Sequence, residues 1–175
     1  MYKRQEPARQ CATEIAAKGC RSLVSVTDVG DATQVEAMCE LACRDLGGID
    51  VVFNNAATNR PGTALELTTE HWDKMWRTNV SALFHTARYT VPIMSERGGG
   101  AIVATASISA LASDAGQVGY VATKGAMISL VRALAVDHAG AGIRVNCICP
   151  GMTASPPLVQ ACLLYTSDAA DDQAC

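Results

Sequence analysis

Four short apolar runs recur along the chain, and stretches with helical spacing separate them. The runs are Ser22-Leu-Val-Ser-Val26, Ile49-Asp-Val-Val-Phe53, Ala101-Ile-Val-Ala-Thr105 and Ile143-Arg-Val-Asn-Cys-Ile-Cys149. The stretches between them are too long for hairpins. Strands joined by long helical crossovers pair in parallel, with helices packed on both faces of the sheet. The predicted fold class is therefore α/β, with a doubly wound parallel sheet.

The helices carry their own signals. Residues 6–19 read as the end of an amphipathic helix, with Ala12, Ile15 and Ala16 apolar and Gly19 as its stop. Asp31 is placed to cap a second helix. Val35, Met38, Leu41, Ala42 and Leu46 follow at helical spacing, and Gly47-Gly48 ends it. Thr68 or Thr69 caps a third, whose apolar face includes Trp72, Met75, Trp76, Val80, Leu83 and Phe84. Pro92 predicts a bend or a new turn near its end. Glycines 98 to 100 turn the chain into the third strand. A last long helix runs to about Gly140-Ala-Gly142, and Pro150-Gly151 breaks the final strand.

In open α/β sheets, ligands bind beyond the carboxyl ends of the strands. The unusual polar residues fall at those places. Asp28 follows the first run, Asn54-Asn55 the second, Ser107 the third and Pro150-Gly151 the fourth. Asn79 sits inside a helix, a poor position for Asn unless its amide has work to do. Tyr120 and Lys124 are four apart, so they share one helix face. An ammonium beside a phenol favours the phenolate, which makes the phenol a usable proton donor and acceptor near neutral pH.

Each residue alone has a plainer reading. Asp28 is a turn acid, Asn54-Asn55 a turn, Tyr120 and Lys124 an ordinary helix pair. Ser107 is one small hydroxyl, with Ser109 and Ser113 close by. Trp72 and Trp76 belong to the core, and His71, His85 and His138 receive no role. The ordered set, at its spacings, outweighs these separate readings.

That set resembles the short-chain dehydrogenase/reductase family in its compact, single-domain form, over nearly all of residues 6–161. The family's Asn-Asn-Ala-Gly motif stands as Asn54-Asn55-Ala56-Ala57, its catalytic Asn as Asn79 in Thr-Asn-Val, and its Tyr-x-x-x-Lys pair as Tyr120 and Lys124, with Ser107 thirteen residues before the Tyr. The resemblance implies an NAD- or NADP-dependent oxidoreductase that interconverts a secondary alcohol and a ketone. It implies that Ser107 donates to the substrate oxygen and Tyr120 transfers the proton. Lys124 favours the phenolate and holds the nicotinamide ribose, and Asn79 holds a water that links Lys124 to solvent. Among cofactor contacts it implies Asp28 and Val29 at the adenine, and Asn55 and Ala56 near the adenosine ribose. Tyr120, Lys124, Pro150, Gly151, Thr153 and Ser155 fall at the nicotinamide side. Related members assemble as homodimers or homotetramers through their long helices, here around residues 70–95 and 115–139. Ala122, Ala126, Leu130 and Ala133 offer a small apolar face for this. A non-catalytic dinucleotide-binding or scaffold member of the same fold is the alternative, and the intact Ser107, Tyr120, Lys124 and Asn79 argue against it.

The sequence departs from the family in three ways. Ala57 replaces the glycine of the motif. No Thr-Gly-x-x-x-Gly-x-Gly loop is present to cradle a pyrophosphate, nor the residue that selects NAD over NADP. The Rossmann-like sheet is therefore expected to be incomplete, without the first two strands and the C-terminal strand. Such a chain is expected to bind dinucleotide poorly, to be marginally stable and to be an inactive fragment of a parent enzyme that carries the activity. Residues 6–161 read as a partial NAD(P)-binding domain. Met1-Tyr-Lys-Arg-Gln5 and residues 162–175 resemble read-through of a sequencing adapter and are expected to be non-native tails.

Charge and cysteines narrow the rest. The net charge is −3 with no basic cluster, which gives no basis for a nucleic-acid partner. No apolar run is expected to span a membrane, and no secretory h-region opens the chain. The eight cysteines form no Cys-x-x-Cys pair, so no metal site is assigned. They read as buried thiols of a cytoplasmic protein, with a small-molecule substrate.

Overall fold

Three parallel strands make the sheet, in the order β1-β2-β3: β1 Val51–Asn54, β2 Gly100–Thr105 and β3 Ile143–Ile148. The computed structural model describes residues 5–153. Phe53 pairs with Val103, which pairs with Asn146. The helices are α1 Gln5–Ala17, α2 Ala32–Leu46, α3 Thr69–Met75, α4 Ala82–Glu96, α5 Ser109–Ala112 and α6 Val118–His138. A π turn, Trp76–Ser81, joins α3 to α4.

Local signals start and stop these elements. The Asp31 carboxylate accepts the Thr33 and Gln34 N–H groups, orphan donors of the first turn of α2. Gly47, at φ 95°, ends that helix in the left-handed region. Thr68 caps α3 by accepting from the His71 N–H. Glycine is required at position 100 for another reason. A Cβ there would lie 2.6 Å from Met94 Sδ and 2.9 Å from the Asp50 carbonyl oxygen.

The core lies between one sheet face and two helices. Leu83, Ala87 and Met94 of α4 and Met127, Ile128, Val131 and Leu134 of α6 pack on Ile102, Ala104, Ile143 and Val145. Helix α2 packs outside α4. With the 3-10 turn after it, α6 forms an apolar stretch, Val118–Ala141, that is long enough to cross a membrane. This corrects the expectation that none exists. Here it is the core helix, with Thr123 and Lys124 fully buried.

Several expectations change. Ser22–Val26 has no strand partner. Pairing needs a neighbour, and none among the described residues lies alongside it. The segment is tied down by other means: the Arg21 guanidinium donates to the Asp45 and Leu46 carbonyls, and Ser22 Oγ to the Ala12 carbonyl. Pro92 sits inside α4, in its last two turns and on an exposed side. Phe84, expected in the core, is 47% exposed on the outer side of α4. Cys11 and Cys20 are exposed rather than buried, because α1 packs against little else. Cys39 is buried, and desolvation pushes its thiol up to about 11.

Helix cover is one-sided among the described residues. On the face opposite the core, Val51 is 66% and Phe53 59% exposed, on a strand whose outer edge carries no partner among the described residues. An apolar edge strand of this kind templates pairing with another chain. The purified chain is therefore expected to self-associate with rising concentration in light scattering. The double variant Val51→Lys, Phe53→Lys is expected to lower the scattering severalfold. Equal scattering from both proteins would place the association elsewhere.

Candidate active site

The π turn positions the first site residue. Such a turn inserts one residue into the α-helical ladder and re-aims the side chains around it. Asn79 lies in it, fully buried. Its Oδ1 accepts the Thr58 N–H at 2.8 Å, and its Nδ2 donates to the Thr58 carbonyl at 2.9 Å and to Thr123 Oγ1 at 3.0 Å. Thr123 Oγ1 in turn donates to the Tyr120 carbonyl at 2.9 Å. The Asn79 amide therefore clamps the loop after β1 to the turn of α6 that presents Tyr120.

Lys124 comes from the next turn of α6. It is 1% exposed. Its Nζ donates to the Thr105 carbonyl at the end of β2 and lies 5.6 Å from the Tyr120 ring centroid. Burial holds its pKa below the ordinary 10.5. The sign of the consequence follows. Between the depressed native value and 10.5 the unfolded chain keeps a proton that the native state has released, so stability rises with pH across that window. Lys124→Met removes the buried charge. It is expected to raise the melting temperature at pH 7 by about 2–4 °C. That advantage should shrink as the pH climbs toward 10.5. Thermal melts of both proteins across pH check this, and a constant difference would remove the buried charge as its cause.

Ser107 follows β2 and is 8% exposed. Its Oγ donates to Ser109 Oγ at 3.0 Å and accepts the Ser109 N–H at 3.2 Å. Ser107 and Tyr120 line one open cavity of roughly 350 Å³ beside the loop after β1. Thr58, Asn59, Ser109, Asp114 and Gln117 complete its polar wall, and Ala57 is the apolar member. Asn79 and Lys124 stand behind this wall rather than in it.

The residues singled out for cofactor contact lie toward the carboxyl ends of the strands or just before α2, several of them already engaged. Asp28 Oδ1 accepts the Gly30 N–H at 3.0 Å, and Oδ2 accepts from Arg77 Nη2 at 2.8 Å. Val29 beside it is half-buried. Asn55 Oδ1 accepts from Thr105 Oγ1 at 2.8 Å, and both Asn55 and Ala56 are exposed. The Pro150 carbonyl accepts the Ile108 N–H at 3.1 Å. Gly151 and Thr153 are exposed beyond β3, whereas Ser155 and the proposed tails, apart from Gln5, lie outside the described residues.

Sequence reasoning missed Thr58, Thr123 and Gln117 and set Ser109 aside. Gln117 and Thr123 stand three residues before and after Tyr120, one helical turn away, and that spacing was the available signal. Thr58 meets Asn79 only through the fold.

Comparison with known proteins places this geometry. The family model described as short chain dehydrogenase matches residues 1–162. Meso-2,3-butanediol dehydrogenase of Serratia marcescens is 35% identical over 148 residues, which are 83% of this chain and 58% of that protein. The 3-oxoacyl-(acyl-carrier-protein) reductase of Staphylococcus aureus is 33% identical over 151 residues, 86% of this chain and 61% of that protein. This chain thus spans about 60% of the length of these curated relatives. Among solved structures, L-sorbose reductase from Gluconobacter frateurii, complexed with NADPH and L-sorbose, superposes with a TM-score of 0.86 at 34% identity. That match covers 93% of this chain and 62% of that one. The parallel sheet, the polar residues at its strand ends and these matches agree, and the chain belongs to the short-chain dehydrogenase family.

Proposed function

We propose that the protein is an NAD- or NADP-dependent oxidoreductase that interconverts a secondary alcohol and a ketone, with Ser107, Tyr120, Lys124 and Asn79 as its catalytic group. One observation carries this reading. Tyr120 shares its cavity with Ser107 while its ring lies 5.6 Å from a buried ammonium. A bound nicotinamide would exchange a hydride with the substrate carbon. Tyr120 moves the proton on the substrate oxygen. Ser107 steadies that oxygen by turning its Oγ–H from Ser109 toward it. The Asn79 side chain uses both N–H donors and one acceptor position within the protein, and its Oδ1 keeps a second lone pair for the water assigned to link it with Lys124.

The residues present fit the nicotinamide half of the cofactor. An ammonium has three donors, and Lys124 gives one to Thr105, which leaves others for ribose hydroxyls. Tyr120, Pro150, Gly151, Thr153 and Ser155 are assigned to that half, and Asp28, Val29, Asn55 and Ala56 to the adenosine. The buried Asn54 Nδ2 has no partner, in keeping with a polar group adding to the strand ends. Residues 6–161 are assigned to one partial dinucleotide-binding domain of a cytoplasmic protein. Assembly through α4 and α6 is supported by exposed Phe84 beside a groove that Val91, Pro92 and Leu134 line. The test is NAD(P)H consumption over a panel of ketones by the full-length gene product. Turnover of at least one ketone is expected there, and none from the panel would remove the reading, whereas this chain by itself is expected to be inactive.

A further inference from the structure

Two thiols stand in one row at the end of the last strand. Along β3 the exposed Arg144, Asn146 and Ile148 alternate with Ile143, Val145 and Cys147, which face the core. Cys149 continues the inner row one residue past the ladder, and both cysteines pack against the core cluster. Both thiols are free and half-buried. Two rises along a strand set their Cα atoms roughly 6.6 Å apart. A disulfide bridges Cα atoms about 4.4–6.8 Å apart, so the pair lies near the upper limit of its reach. The sulfurs already sense each other. Burial raises the Cys147 thiol, the Cys149 thiol adds to the shift, and the Arg132 guanidinium of α6 offsets part of it. Cys39 and Cys43 lie on consecutive turns of α2, but Cys39 is buried with its thiol pushed up to about 11, which leaves it inert.

The segment beside these thiols carries Ser107. The Ile148 carbonyl, between the two cysteines, accepts the Ala106 N–H at 2.8 Å. The Pro150 carbonyl, just after them, accepts the Ile108 N–H at 3.1 Å. Ser107 is the residue between those two donors. We propose that Cys147 and Cys149 form a reversible disulfide, and that closing it loosens the backbone on both sides of Ser107. The bond stands independently of the function proposed above, and only its effect on activity rests on that reading.

The oxidant is a small disulfide, RSSR. The Cys149 thiolate attacks one of its sulfurs, the S–S bond breaks, and RS⁻ leaves and takes up a proton. The Cys147 sulfur gives its proton to solvent, attacks the Cys149 sulfur and displaces the second RS⁻, which takes up a proton in turn. Two electrons pass from the protein thiols to RSSR, which ends as two RSH. Cys149 attacks first because burial keeps Cys147 protonated. The second step is intramolecular, so a small thiolate fraction suffices. A bridge at the limit of its reach draws the Cα atoms together and is easily reduced again. The peptide between Ile148 and Cys149 turns with them. Its carbonyl leaves the Ala106 N–H, and the Pro150 carbonyl is drawn off the Ile108 N–H.

The experiment treats the folded chain with oxidised glutathione and alkylates it without reduction. Cys162→Ser and Cys175→Ser leave Cys147 and Cys149 as the only thiols of the tryptic peptide that begins at Val145. In most molecules that peptide is expected to take no alkyl group and to be lighter than its dithiol form by two hydrogens. Amide exchange at Ala106 and Ile108 is expected to accelerate by about tenfold or more on oxidation, and dithiothreitol is expected to reverse it. The double variant Cys147→Ser, Cys149→Ser is expected to show no such change under the same treatment. If that variant does not fold, reversal by dithiothreitol in the protein that keeps the pair makes the same comparison. A peptide that stays dithiol, or that ends with glutathione on either sulfur, overturns the proposal. So does a disulfide that forms only in urea, or one that leaves exchange at Ala106 and Ile108 unchanged. Neither readout needs turnover, so a failed ketone panel leaves the disulfide standing and removes only its link to activity.

Discussion

Tyr120→Phe is expected to lower kcat/KM for alcohol oxidation by about 10³-fold, within the range that a positioned acid–base group supplies. That factor corresponds to roughly 4 kcal/mol of transition-state stabilisation. The substitution removes one oxygen and leaves the ring beside the Lys124 ammonium. The Tyr120 carbonyl, which Thr123 Oγ1 bonds, is untouched. The fold should therefore hold, with a melting temperature close to that of the unaltered protein. Steady-state kinetics beside thermal melts separate chemistry from stability. Turnover within threefold of the unaltered protein would take Tyr120 out of the proton path.

Asn79→Ala is expected to act on stability first. The variant strips donors and acceptors from the Thr58 N–H, the Thr58 carbonyl and Thr123 Oγ1, in a site where Asn79 itself is fully buried. Unsatisfied buried partners cost about 1–3 kcal/mol each, partly recovered by relaxation and water, so a net loss of roughly 3 kcal/mol follows. The melting temperature should drop by about 6–12 °C for a chain of this size. Amide hydrogen exchange gives the local reading. The Thr58 N–H is expected to exchange slowly in the unaltered protein and to become one of the most accelerated amides in the variant. If Thr58 exchange does not change, the clamp between the loop and α6 is not what Asn79 supplies.

What the sequence disclosed and what it hid divide along the range of the interactions. The caps at Asp31, Gly47 and Thr68 act within a few residues, so they could be read directly, and so could the β-branched runs that became β1, β2 and β3. The spacing of Ser107, Tyr120 and Lys124 was legible as a motif. Ser22–Val26 failed because a strand is a property of two segments, and its local composition says nothing about whether a neighbour arrives. The Asn79 contacts span 21 and 44 residues, beyond any local pattern. Phe84 misled because helical periodicity marks an apolar position without saying which layer lies over it.

Seclusion of the Lys124 ammonium has a consequence for how the native state can be watched. Lys18 and Lys74 stand in solvent, whereas Lys124 is 1% exposed with its amine turned to the Thr105 carbonyl. An acylating reagent reaches such an amine only when α6 parts from the end of β2. The modification rate at Lys124, set against that at Lys74, then reports the free energy of this local opening. One internal amine thus serves as a clock for the breathing of the helix that carries the chemistry, and a ligand seated against Tyr120 would slow it.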